Sequence, residues 1–222
     1  MNGELVVVDD VPSAFVSCVV DAYDARPEEI FAIALSGGET ARRCYERLAS
    51  DAAERIDWYS TVDVYWGDER CVPADSPESN ERLGREALLE RVGAAHAVYP
   101  MRCDEGHEAY QLRVGDLGRF DLVHLGLGPD GHTASLFPGS PGLAADPGLL
   151  VVANEDPSGT NPHRRMTLTF AGIARARLVV VTVEGEEKRA AMQAVFDGDD
   201  VPAAHLIADR VLWLVDPAAA PS

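Results

Sequence analysis

Four apolar runs in this chain end in the same way. Ile30 to Leu35, Val62 to Trp66, Leu122 to Leu127 and Leu178 to Val183 each break off into glycines and charged residues. The four endings are Ser36-Gly-Gly-Glu-Thr40, Gly67-Asp-Glu-Arg70, Gly128-Pro-Asp-Gly-His132 and Gly185-Glu-Glu-Lys188. Short β-type runs bounded by turn signals read as buried strands. Helical spacing between them, as in Phe15, Val16, Val19, Val20 and Tyr23 or in Tyr45 and Leu48, predicts strands alternating with helices. That pattern requires a mainly parallel α/β sheet flanked by helices, and it gathers all four endings at one edge. No Pro/Ser-rich linker divides the 222 residues, and 46% hydrophobic content suffices for one core, so a single domain over 1–222 is expected.

Composition excludes several classes of function. A formal net charge of −18 opposes nucleic acid and anionic membrane surfaces, both of which need a basic footprint. No apolar run approaches the roughly 18 residues that span a bilayer, and Met1-Asn-Gly-Glu4 lacks the basic start of a signal peptide. A soluble, cytoplasmic protein is the expectation. Cys18, Cys44, Cys71 and Cys103 show no Cys-x-x-Cys spacing and predict four free thiols, Cys71 being a bystander beside Arg70. The six histidines show no paired spacing, so no metal site is expected.

The same charge repels an anionic small molecule at long range, so an anion site here needs conspicuous local cations. Lys188 is one, the only lysine beside eighteen arginines. It falls on the first turn after a strand end, where the helix dipole disfavours a cation; a bound anion explains it better than stability does. Survival by chance on a helix surface is the plain alternative.

Ser36-Gly-Gly-Glu-Thr40 sits between strand and helix, where unpaired N–H groups suit a phosphate. A merely structural Gly-Gly turn reads the same way. It is not a Walker loop, lacking Gly-Lys-Ser/Thr, nor a nucleophile elbow, because Ala34 replaces the first glycine. Asp68 and Arg70 suit either a solvated turn or a phosphosugar site. A helix is expected to start at Ser76 and Pro77 and run to about Val92, and another to span Glu105 to Leu117. The segment Ala94 to Met101 is ambiguous, and His96 and His107, single histidines without partners in sequence, read as surface residues. Gly126-x-Gly128-x-x-Gly131 formally matches a dinucleotide fingerprint, but Pro129, Pro138, Pro141 and its mid-chain position oppose that reading. Asp130 caps the turn or orients the ring of His132, which arrives at a strand end where chemistry is done. Residues 139–162 read as a mobile rim. Asn161 to Phe170 gives a short strand preceded by two arginines, of which Arg165, adjacent to the strand, is better placed for rigid holding, although spacing does not choose between Arg164 and Arg165.

In order along the chain, these pieces with Trp66, Ser79-Asn80, Arg165-Met-Thr-Leu-Thr169 and the full stretch Gly126 to Pro138 resemble the 6-phosphogluconolactonases, in the group that includes glucosamine-6-phosphate deaminase. The resemblance covers nearly the whole sequence. It implies a Rossmann-like fold, hydrolysis of 6-phospho-D-glucono-1,5-lactone in the oxidative pentose phosphate pathway, and no metal or organic cofactor. Carried over by position, Ser36, Gly37, Gly38, Thr40, Arg165 and Lys188 hold the phosphate. Asp68, Arg70 and Asp130 surround the sugar, with Asp130 and Arg70 serving catalysis beside His132, the general base. The implied partner is the phosphosugar lactone alone, bound by a monomer or weak homodimer. Two positions depart from the pattern: Ala41 stands where the family commonly has proline, and Glu39 brings an acid to the phosphate loop, its side chain being expected to point away. The deaminases follow Asp-Gly-His with Ala-Phe-Asn-Glu; here Thr133 to Pro138 holds no carboxylate, which favours the lactonase. A sugar-phosphate sensor without turnover remains a rival of another class, although such sensors carry a DNA-binding segment that this acidic chain lacks.

Overall fold

In the computed structural model, which describes residues 2–222, the apolar runs become strands of one parallel sheet. Met1, part of the expected 1–222 domain, lies outside the described residues. Numbered in chain order, β1 (Glu4–Val7), β2 (Phe31–Leu35), β3 (Val62–Trp66), β5 (Ala97–Val98), β6 (Phe120–Gly126), β9 (Ala176–Val183) and β10 (Arg210–Val215) form a sheet of seven strands. Their spatial order is β1-β10-β9-β6-β2-β3-β5, and every neighbouring pair is parallel. β2 and β3 are buried at every residue, which is why β2 reads as a continuous apolar run and not as alternation, while β3 carries a single charged residue, Asp63.

The order places a crevice. From β2 the chain proceeds to β3 and β5 on one side, whereas from β6 it proceeds to β9 and β10 on the other. β2 and β6 are neighbours, so the loops that leave them diverge at a topological switch point, where open α/β sheets take ligands. Those two loops are Ser36 to Gly38 and Leu127 to His132.

Two helices fix this end of the sheet. α1 (Val11–Asp24) is capped by the Asp10 side chain, which accepts from Ser13 N–H, and Pro12 occupies its first turn. It lays Phe15, Val19 and Tyr23 on the sheet. α2 (Glu39–Asp51) buries Tyr45 and Leu48 completely. Each such side chain contributes about 1.5–3 kcal/mol on burial.

A second sheet, of which the sequence foresaw only the short strand after the two arginines, is built of β4 (Asp68–Arg70), β7 (Val151–Asn154) and β8 (Arg165–Leu168), antiparallel in the order β4-β8-β7. Gly67 joins it to the main sheet. Its N–H donates to Leu35 C=O, and its own C=O accepts from Leu168 N–H, both at 2.8 Å. Asp68 to Arg70 is therefore a strand and not a loop, because Arg165 to Leu168 supplies its partner.

Two further expectations need correction. The helix expected from Ser76 begins at Asn80, with Ser79 as its cap, and runs to Val92 through one wider turn at Arg85–Leu89. The start moves because the buried Glu69 carboxylate accepts from Asn80 N–H and Glu81 N–H at 2.8 and 2.7 Å. His96 is exposed, as expected, and its Nδ1 lies 2.7 Å from Asp63 on β3. Finally, Cys71 and Cys103 form a disulfide, which overturns the expectation of four free thiols; Cys18 and Cys44 remain free. The exit of β4 and the stretch after β5 bring the two Cα atoms to 5.4 Å, inside the bonding range. A separation of 32 residues gave no local spacing by which to see it. Among the described residues, no helix is long and apolar enough to cross a membrane.

Candidate active site

The switch-point crevice holds a cavity of about 240 Å³ lined by residues from all four predicted strand endings: Ser36, Gly37 and Gly38, Asp68 and Arg70, Gly128 and His132, and Lys188. A second lobe of about 260 Å³ shares Gly37, Gly38, Gly126, Leu127 and Lys188 and adds Thr40. Asp130 stands behind His132. Arg165 does not line the cavity, but it sits on β8 in register with Arg70.

Glycines shape the His132 loop. Gly128 N–H donates to His132 C=O at 2.8 Å, and Gly131 adopts φ 81°, a conformation glycine takes freely. A Cβ on Gly128 would collide with the His132 ring and with Asp130 Oδ1, so the ring lies flat over a position only glycine can fill. Asp130 Oδ1 accepts from His132 N–H at 3.1 Å and lies 2.5 Å from Nδ1 of the ring. Burial works to raise the Asp130 pKa, yet the hydrogen bonds and charge of His132 outweigh it and leave it below the ordinary value. Nδ1 is thus committed to Asp130, and among the described residues Nε2 has no hydrogen-bond partner. Two residues on, Ala134 has φ 48°, the single non-glycine residue with positive φ among those described; it also lines the cavity. Such strain gathers at functional sites.

The phosphate-type loop has a defined polarity. Ser36 N–H turns inward and donates to Tyr45 Oη at 2.6 Å, so it is not available to a ligand. Gly38 caps α2 with no side-chain hydrogen bond, leaving the first amides of the helix unpaired within it. These amides and the helix dipole suit an anion. The Glu39 side chain is 77% exposed and lies 3.9 Å from Arg42, yet Glu39 also lines the second lobe, so the expectation that it stays clear of the loop is not met. Among the described residues no carboxylate lies in salt-bridge range of Lys188, which lies at the end of a short turn, Glu186–Lys188, leading into the helix Arg189–Asp197.

Opposite the loop, Asp68 is buried and fixed on both oxygens, by Ser135 Oγ at 2.6 Å and Asn80 Nδ2 at 3.2 Å. Arg70 and Arg165 are cross-strand partners, an arrangement of like charges that destabilises a bare sheet. The buried Nε atoms of both lack hydrogen-bond partners. Burial pushes the Arg165 pKa down, with Asp68 opposing that effect. Two paired, incompletely satisfied guanidinium groups beside a cavity call for an anionic or polyhydroxylated ligand.

Several contributors were missed. Asn80, 1% exposed, lines the cavity and donates to both the backbone and the side chain of Asp68, while its Oδ1 has no partner. A Cβ on Gly37 would collide with that oxygen, which explains the first glycine of the loop. Ser135, which donates to Asp68, is held in turn by Thr167 Oγ1, which accepts from Ser135 N–H at 3.2 Å. Ser79-Asn80 was visible as a motif, but its role depends on the register of β4. Among the described residues no group of three or more His, Cys, Asp or Glu side chains is placed to hold a metal ion.

An α/β sheet whose switch point gathers a loop of unpaired amides, a carboxylate-oriented histidine and Arg70 belongs to the Rossmann-like class. A family model described as glucosamine-6-phosphate isomerases/6-phosphogluconolactonase matches residues 4–213. The chain belongs to that family. It is 38% identical over 203 residues to a 6-phosphogluconolactonase from Synechocystis, covering 83% of this chain and 81% of that one. The structure of a 6-phosphogluconolactonase from Trypanosoma brucei superposes with a TM-score of 0.83 at 28% identity, covering 98% of this chain and 97% of that one. A monomeric glucosamine-6-phosphate deaminase also superposes at 0.83, over 97% of this chain and 98% of that one, but at 17% identity that likeness shows the fold alone.

Proposed function

We propose that this protein hydrolyses 6-phospho-D-glucono-1,5-lactone to 6-phospho-D-gluconate, with His132 as the base that activates water. The observation that carries this reading is the His132–Asp130 pair facing the same cavity as Lys188 and the Gly37-Gly38 loop. The names of the relatives support the lactone, and the absence of a carboxylate between Thr133 and Pro138 favours it over an amino sugar.

The lactone carbonyl is already electrophilic, so an oriented water suffices. Nε2 of His132 takes a proton as the water oxygen bonds to C1. Asp130 holds Nδ1–H, fixes the tautomer and stabilises the imidazolium. The tetrahedral intermediate collapses with cleavage of the C1–ring oxygen bond, and Nε2–H returns the proton to that oxygen. Arg70 is the cation best placed for the developing oxyanion. The phosphate, held by the Gly37-Gly38 loop, the start of α2 and Lys188, anchors the substrate far from C1 and orients it. Asp68 and Asn80 face the sugar hydroxyls, and Arg165 lends charge from behind Arg70.

The test is the rate of 6-phosphogluconate formation from freshly generated lactone, with and without protein and with EDTA present. A large increase over the spontaneous rate that survives chelation is expected. No increase, with 6-phosphogluconate still raising the Tm, would leave a phosphosugar-binding protein whose reaction is another.

A further inference from the structure

Below the Ser36 loop runs a string of polar side chains that the reaction does not use. His124, fully buried on β6, has Nδ1 2.8 Å from Tyr45 Oη and Nε2 2.9 Å from Thr182 Oγ1 on β9. Tyr45, fully buried on α2, accepts from Ser36 N–H at 2.6 Å and lies 3.3 Å from Ser36 C=O. Phe15 packs on both rings, at 4.3 Å from His124 and 6.1 Å from Tyr45. Leaving any such group unpaired in the core costs about 1–3 kcal/mol, and packed apolar side chains would fill the same space without that exposure to loss. The string therefore needs a reason other than stability.

The donors run in one direction. The Ser36 amide can only donate, so it occupies a lone pair of Tyr45 Oη. The Tyr45 hydroxyl then gives its proton to the nearer acceptor, Nδ1 of His124, and Nε2–H donates to Thr182 Oγ1. Each member stands on an element that carries part of the site. Ser36 opens the anion loop, and Tyr45 belongs to the helix that closes it, so their contact clamps the two ends of Gly37-Gly38 against each other. The strand of His124 ends at the His132 loop, and that of Thr182 leads to Lys188.

We propose that Tyr45 and His124 are positioning residues for phosphate recognition: they hold the Ser36 amide inward so that the Gly37 and Gly38 amides and Lys188 keep one spacing around the phosphate. This rests on the reading that the loop holds the phosphate of the substrate. Neither residue touches the substrate, and neither moves a proton of the reaction.

Steady-state kinetics of Tyr45→Phe, His124→Leu and His124→Asn test it, on the phospholactone and on unphosphorylated glucono-1,5-lactone, with inhibition by inorganic phosphate as a second reading. Tyr45→Phe and His124→Leu are expected to raise KM for the phospholactone about tenfold, equivalent to about 1.4 kcal/mol, with kcat within about twofold. Phosphate inhibition weakens by the same factor, while kcat/KM for the unphosphorylated lactone stays within about twofold. His124→Asn, which keeps an acceptor near the place of Nδ1, retains a KM close to that of the parent. Equal losses on both lactones would reduce the string to support of the fold and overturn the proposal. An unchanged KM in Tyr45→Phe, which removes one oxygen atom and keeps the ring, would also overturn it, even where His124→Leu fails to fold. Lys188→Ala run in parallel separates the two readings. If it raises KM and Tyr45→Phe does not, the positioning proposal alone fails; if neither does, the phosphate is not held here.

Discussion

His132 has one ring nitrogen committed to Asp130 and one open toward the cavity, the arrangement a general base requires. His132→Ala is expected to lower kcat by about 10²–10⁴ while 6-phosphogluconate still raises the Tm of the variant. Turnover near that of the parent would remove the base assignment. Lys188→Ala is expected to raise KM about tenfold or more with little change in kcat, and Lys188→Arg to restore it only in part, since a guanidinium is a planar fork where a point charge stood. A KM indifferent to both changes would return Lys188 to the surface. Both residues were legible because each follows a strand end, and the second is the single lysine of the chain. Asn80 was not legible as a contributor, because what it holds, Asp68 and the underside of Gly37, is adjacent only after folding.

At the scale of elements, the exit from β4 carries the feature most at odds with the sequence reading. Closing 32 residues with the Cys71–Cys103 bond stabilises by about 3–4 kcal/mol in the chain-entropy account. Dithiothreitol should therefore lower the Tm of the parent and leave Cys71→Ser, already without the bond, unmoved. Equal sensitivity in the two proteins would show that the bond contributes nothing. The main strands and the helices Val11–Asp24 and Glu39–Asp51 were visible to within a few residues as local periodicity. The antiparallel sheet was not, because β4 is three residues long and gains its identity from pairing with β8. The same pairing puts Arg70 opposite Arg165, a relation that spacing along the chain does not contain.

For the molecule as a whole, the buried string links folding to pH. Burial pushes the His124 pKa down from 6.5 to about 3. Between those values the unfolded chain binds a proton that the folded one refuses, so this contribution to stability is complete above pH 6.5 and is lost as the pH falls toward 3. At 1.36 kcal/mol per unit it amounts to a few kcal/mol. Urea unfolding at pH 7 and pH 4.5 should show the parent losing more stability than His124→Asn, in which the titrating group is gone. Parallel losses would mean that other groups govern acid unfolding. A net charge of −18 around the proposed phosphate site also has a whole-molecule answer: unpaired amides, Lys188 and Arg70 line one cavity at the switch point, while charges beyond a screening length of roughly 8 Å are largely screened.

The sequence by itself determined which segments are buried strands, where each gives way to glycine and charge, and that a parallel sheet would bring those endings together. These are local properties, set by side-chain periodicity and by the backbone freedom of Gly128 and Gly131. Tertiary structure decided the rest: the order that makes β2 and β6 neighbours, the strand that pairs two arginines, the cysteine that finds Cys103, and the histidine that anchors Ser36 through Tyr45. Each of these joins residues far apart in the chain. Their meeting depends on strand order and register, which the whole core fixes at once and no local pattern records.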